Sequence, residues 1–268
     1  MTTTCKAPAI WLMSLLSLMS AAACGSPSSG LAVDIIKLPI ELVEVSGLAL
    51  LPGQRLAAIG DEIGQVYEVD YSVPKVERLV SFGQPPIRAD FEGLAYKNEQ
   101  LYAITSKGVL YQQAVIGGGK TRKIKTGLGK QCEIEGLAAD PDQPLLWIVC
   151  KTALKKKLKN KLNIFAWHLT EEQLDESLTI SLDLKTLGLS KRFAPSGLSV
   201  DTAGFLVVAA KQRAYVTLSR QGQLLASAGL PGAAHQQTEG VVRDGKTIYL
   251  ADEGVSGPAM VSRYINGI

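Results

Sequence analysis

Short apolar runs recur along this chain, each broken by a tight polar or glycine turn before it is long enough to make a helix. VSGLALL is followed by a Pro52-Gly53 turn, then RLAAIG, the alternating QVYEVD, and KVERLVSF. The same order returns as EGLAY, QLYAIT, VLYQQAV and KTRKIKT, and again as SGLSV, FLVVAA, AYVTLSR and LLASAG. Runs of this length and period-two alternation predict strands, and the short turns predict antiparallel neighbours. Each unit opens on one phrase, an acid or serine before Gly and Leu or Val: EVSGLAL, DFEGLAY, EIEGLAAD, APSGLSVD and QTEGVVRD. The glycines, Gly47, Gly93, Gly136, Gly197 and Gly240, are spaced by 46, 43, 61 and 43 residues. Four short strands at a period in the forties predict an all-β β-propeller of four-stranded blades. The count is five, or six if the long third unit conceals another.

That third unit carries about 15 extra residues on the period of its neighbours. The excess is assigned to KTALKKKLKNKL (Lys151 to Leu162) and to a short helix at TEEQLDESL, with Thr170 as its N-cap. The last unit is one strand short. AVDIIKLPIELV (Ala32 to Val43) has no blade of its own and supplies the missing outer strand, which closes the ring and removes a raw edge. The propeller domain is thus residues 32–268.

Equivalent repeat positions form a ring in space, so the residues before the glycines surround one mouth of the central channel. They are Ser46, Glu92, Glu135, Ser196 and Glu239. Three converging carboxylates repel unless something compensates. A hard cation such as Ca²⁺, which prefers oxygen ligands, is one answer. Lysines returning on the second strands, Lys107, Lys151 and Lys211, are the other. Asp61, Glu62, Asp252 and Glu253 make the mouth acidic beside the first and last blades.

The composition is that of a globular chain: 268 residues, 46% hydrophobic, 20% charged. A formal charge of +3 gives no reason to invoke a nucleic-acid partner. Ahead of the repeats, Lys6 precedes an apolar run from Ala7 to Ala23 that ends in small residues before Cys24-Gly25, a lipoprotein signal-peptide pattern over residues 1–23. Cys24 is the expected lipidation site and residues 24–31 a flexible tether, with plain secretion as the alternative. The expected location is the bacterial cell envelope, on the periplasmic side of the outer membrane or free in the periplasm. Cys132 and Cys150 then sit in a compartment that permits disulfides. A bridge and a pair of buried thiols are both open.

The EVSGLAL, DFEGLAY, EIEGLAAD and TEGVVRDGKTIYLADEG segments resemble the SdiA-regulated (YjiK-like) family of bacterial envelope β-propellers, over residues 34 to 268. The resemblance implies a Ca²⁺ site at Glu92, Glu135 and Glu239. The chain departs from the family where members carry an acid after the second strand of blades two and three; here Lys107 and Lys151 stand.

Catalytic motifs of the GxSxG, HExxH and P-loop kinds are absent. His168, in an alternating strand, is expected to face solvent; His235 is read as a loop histidine or a general base at the mouth. Lys155, Lys156, Lys157, Lys159 and Lys161 read as a solvated loop or as a contact for anionic lipid headgroups. The sequence therefore reads as a lipid-anchored envelope binding module for Ca²⁺, a small polar ligand or a protein partner. The competing reading is a metal-dependent hydrolase of phosphoesters or lactones.

Overall fold

The structure, a computed structural model, describes residues 32, 34–116, 119–231 and 235–268. Strand β1 (Asp34–Lys37) precedes the first full blade, which is β2 (Val45–Leu51), β3 (Arg55–Gly60), β4 (Gln65–Asp70) and β5 (Lys75–Ser81). Blade two is β6 (Phe91–Lys97), β7 (Gln100–Thr105), β8 (Val109–Ala114) and β9 (Arg122–Lys125). Blade three is β10 (Cys132–Ala139), β11 (Leu145–Ala153), β12 (Lys161–His168) and β13 (Gln173–Asp183). Blade four is β14 (Gly197–Asp201), β15 (Gly204–Ala209), β16 (Ala214–Leu218) and β17 (Leu224–Gly229). Blade five is β18 (Thr238–Asp244), β19 (Thr247–Asp252) and β20 (Met260–Tyr264), completed on its outer edge by β1. The protein is a five-bladed propeller. The long third unit hides no sixth blade, because its extra residues lengthen β11, β12 and β13.

Closure is the expected one. β1 runs antiparallel to β20, with Asp34 opposite Arg263 and Lys37 opposite Met260. Arg263 also pairs with the Asp34 carboxylate and lies over the Tyr71 ring of blade one. Tyr71 donates its hydroxyl hydrogen bond to the Val261 carbonyl at 2.9 Å. The first and last blades are therefore joined by a backbone ladder and by side chains packed across the seam.

The five inner strands meet in a closed circle, each packing on the next and β18 on β2. The repeated glycines make this approach feasible. A Cβ on Gly47 would lie 2.7 Å from the Leu94 amide nitrogen, and one on Gly93 would lie 2.6 Å from that of Leu137. These glycines are required for their size, since none of the five has a positive φ. They draw the channel into a waist of about 10 Å³, room for little more than one water. The leucine or valine after each glycine is buried, from 1% to 4% exposed, and packs between blades.

The helix expected after Thr170 is absent. TEEQLDESL turns at Glu172 and enters β13, which pairs with β12 from His168↔Gln173 to Lys161↔Asp183. A ladder along an otherwise raw edge, interrupted once between Ile164 and Ala166, outweighs the weak helical preference of Glu, Gln and Leu. Trp147 and Trp167 are both core residues.

Cys132 and Cys150 form a disulfide between β10 and β11. Gly117, Gly118 and residues 1–31, including Cys24, lie outside the described residues. Among the described residues no helix is long and apolar enough to cross a membrane.

Candidate functional site

Every inner strand starts at the same mouth, and in four of the five the ladder is irregular there. The register slips between Val45 and Gly47, between Phe91 and Gly93, between Ile134 and Leu137, and between Thr238 and Gly240. Ser46, Glu92, Glu135 and Glu239 occupy these slips. A bulge leaves its extra residue out of the strand alternation and re-aims its side chain. Here it turns the residue before each glycine toward the channel, and Ser46 and Glu239 line the waist itself. Ser196 stands just ahead of β14, but its hydroxyl is engaged, donating to the Thr238 carbonyl at 2.6 Å and accepting from the Ala210 amide at 2.9 Å.

Glu135 is buried, Glu92, Glu239, Glu253 and Asp61 are half-buried, and the group is close enough for its members to feel one another. Burial first, then the charges of Glu135 and Asp90, pushes the Glu92 carboxyl well above the ordinary range. Burial also raises Glu135, against the opposing pull of Lys151. Glu239 is pushed up to about 8, by burial and then by Glu135 and Glu253. Glu253 rises to about 7 and Asp61 to about 6, each mainly through burial. The site holds far more acidic capacity than it can ionise at neutral pH without a counter-charge.

The lysine compensation is partial. Lys151 binds Glu135 through Oε1, and Glu135, together with Glu239 and Glu92, holds the ammonium pKa above its usual value although burial pulls it down. Lys107 and Lys211 are exposed and make no ion pair among the described residues. One lysine therefore stands where three were weighed. Glu135 is 3% exposed, and its second oxygen, Oε2, has no hydrogen-bond partner. The buried Ser46 hydroxyl at the same mouth is also unpartnered. Buried polar atoms are nearly always satisfied, so these two leave hydrogen-bonding capacity open at the mouth to water or a ligand. Among the described residues, no three acidic, histidine or cysteine side chains are already gathered around one metal-sized point.

His235 is not a base at the mouth. It is fully buried, with Nδ1 at 2.7 Å from Asp252 Oδ2 and Nε2 at 2.5 Å from the Tyr264 hydroxyl. Asp252 also accepts from Thr238 at 2.6 Å, so this acid is consumed in fastening the loop before β18. His168 is half-buried between Glu171 and Asp175 rather than free in solvent. Asp90 was not anticipated. It accepts from Ser106 and adds its charge to Glu92, and its place two residues ahead of that ring position was the available signal.

Beyond the waist the channel opens into a funnel of about 510 Å³ walled by Leu48, Leu94, Leu137, Leu198 and Val241. At its rim Arg243 pairs with Asp201, and Lys97 donates to the carbonyls of Asp140 and Pro141. Asp140 is closed by Arg220 and by the Trp147 indole at 2.8 Å. Two of the buried side-chain atoms without a partner, Glu135 Oε2 and Ser46 Oγ, sit at the acidic mouth; the others among the described residues are on Trp167, His168, Arg220 and Arg263.

The chain matches no protein-family model and no curated protein by sequence. Its fold is shared with solved propellers. A glutaminyl cyclase from Myxococcus xanthus superposes with a TM-score of 0.60 at 13% identity, covering 89% of this chain and 97% of that one. The PQQ-bound aldose sugar dehydrogenase of Streptomyces coelicolor gives 0.54 at 12%, covering 87% and 97%. A luciferin-regenerating enzyme gives 0.53 at 12%, covering 88% and 97%. At these identities the likeness establishes the propeller architecture that several enzymes share.

Proposed function

We propose that this protein is a binding module of the bacterial cell envelope, of the SdiA-regulated (YjiK-like) kind, whose acidic channel mouth takes a cation. Cys24 anchors it to the outer membrane, facing the periplasm. Ca²⁺ is the occupant whose oxygen preference suits the donors present: Glu92, Glu239, the free Oε2 of Glu135, and the Ser46 hydroxyl. The buried, unpartnered Glu135 Oε2 in a ring with a single lysine carries the reading. A bound cation would supply the missing positive charge and let the ring ionise fully. Lys151 holds the other oxygen of Glu135 and competes with the cation for its charge, and the glycine waist bars passage beyond the site. Melting in Ca²⁺ against chelator tests this, because a ligand that binds only the folded state raises the melting temperature. Equal melts in both would count against it.

A second reading, a hydrolase acting on phosphoesters or lactones, draws on Glu239, whose proton affinity near neutrality suits a general acid or base. Turnover of a chromogenic phosphoester or lactone, abolished by Glu239→Gln, would favour it over simple binding.

A further inference from the structure

At the acidic mouth's end of the ring, the connection from β11 to β12 is built rather than loose. Leu158, 6% exposed, anchors it in the core beside Cys132 and Ile134. Its carbonyl accepts from the buried Asn163 amide at 2.9 Å. The amides of Leu154 and Lys155 both donate to the Gln131 carbonyl, at 2.8 and 3.2 Å, which ties the connection to the loop before β10. The single 3-10 turn at Lys156–Leu158 then presents its lysines outward.

The result is a compact patch of Lys130, Lys155, Lys156, Lys157 and Lys159, all exposed. None of the five forms an ion pair; the lysine pairs among the described residues are Lys75–Glu77 and Lys151–Glu135. Lys161 is different, because the ladder sets it opposite Asp183. Within the patch, Leu154 is 55% exposed. Five unneutralised lysines are costly to hold together, since like charges repel. A leucine projecting among them serves no soluble polyanion. Basic side chains around a projecting apolar one are the chemistry of an anionic lipid surface, where headgroups meet the lysines and the apolar chain enters the acyl boundary.

We infer that this patch docks the propeller onto a bilayer rich in anionic headgroups, independently of any occupant of the channel mouth. The test is co-sedimentation of the full chain carrying Cys24→Ala, which cannot be acylated there, with vesicles of phosphatidylglycerol and phosphatidylcholine, against phosphatidylcholine alone. Any contribution from residues 1–31 is common to all variants compared. The anionic vesicles are expected to bind more protein, with the difference shrinking at high salt. Replacing Lys155, Lys156 and Lys157 by Gln should weaken that binding roughly 100-fold, at about fivefold per lysine. Leu154→Ser should weaken it less, and salt should not mask that loss. Lys130→Gln with Lys159→Gln, on the flanks of the turn, is a second variant should the first fold poorly. Equal partition onto both vesicle types overturns the inference, as does unchanged binding by variants that melt like the parent. Retention on heparin without vesicle preference also overturns it, in favour of a soluble polyanion.

Discussion

Neutralising Glu239 should stabilise the cation-free protein, and only where that carboxyl is forced to ionise. In the unfolded chain it loses its proton near the ordinary value of 4.5, whereas in the folded ring it holds the proton to about 8. Stability drawn from the neutral form is full below about 4.5 and is lost as pH rises through about 8. At about 1.4 kcal/mol for each pH unit, the full displacement is at most about 5 kcal/mol. Glu135 and Glu253 share the repulsion, and the ring relaxes when one proton leaves, so about 2 kcal/mol is the working figure. Glu239→Gln never ionises and escapes the loss. In chelator at pH 9 it should melt about 4–8 °C above the parent, and at pH 5 the two should nearly coincide. The assay is a melting series from pH 5 to 9, monitored by circular dichroism. A melting difference that does not change with pH would refute the electrostatic reasoning, and a less stable variant at pH 9 would reverse it. Ca²⁺ should invert the order, because only the parent then gains a ligand.

Gly93→Ala drives a methyl group against backbone, 2.6 Å from the Leu137 nitrogen, and should cost about 2 kcal/mol or more. Gly257→Ala, with nothing within 4 Å of its Cβ, should melt like the parent, and similar melts for the two variants would contradict the waist. Replacing Cys132 and Cys150 by Ser opens an 18-residue loop and should cost about 3 kcal/mol, read as a lower denaturant midpoint. Deleting residues 32–38 removes β1 and exposes β20 as an edge; insolubility or a clearly lower melt is expected, and a parental melt would contradict closure through that strand.

The architecture could be read from the chain because a propeller repeats its constraints. Each inner strand needs a residue without a Cβ where it meets its neighbour, so the glycine phrase recurs, and its spacing counts the blades. The extra strand ahead of the first phrase and the short last unit pointed to the seam found between β1 and β20. The helix expected after Thr170 shows where local pattern misleads. Glu, Gln and Leu suit a helix, but β12 offers an unpaired edge of eight residues that only a strand can satisfy. The positions of the ring residues were equally legible, since they follow from the repeat. Their partners were not. Lys107, Lys151 and Lys211 look alike in sequence, yet only Lys151, on the lengthened β11 hairpin, reaches an acid. His235 was obscure for the same reason, because its partner Tyr264 lies 29 residues away on another strand.

The central claim is that the ring of Glu92, Glu135 and Glu239 holds a cation, and direct Ca²⁺ binding tests it. Equilibrium dialysis of the chelator-stripped protein against radioactive Ca²⁺ reads occupancy without relying on stability. The account predicts one Ca²⁺ for each chain, bound more tightly as pH rises and the carboxyls give up their protons. Glu92→Gln and Glu239→Gln should each abolish that binding, while Lys151→Met, which removes the competing ammonium, should strengthen it. No saturable binding at millimolar Ca²⁺, or binding that survives both Glu→Gln changes, would contradict it.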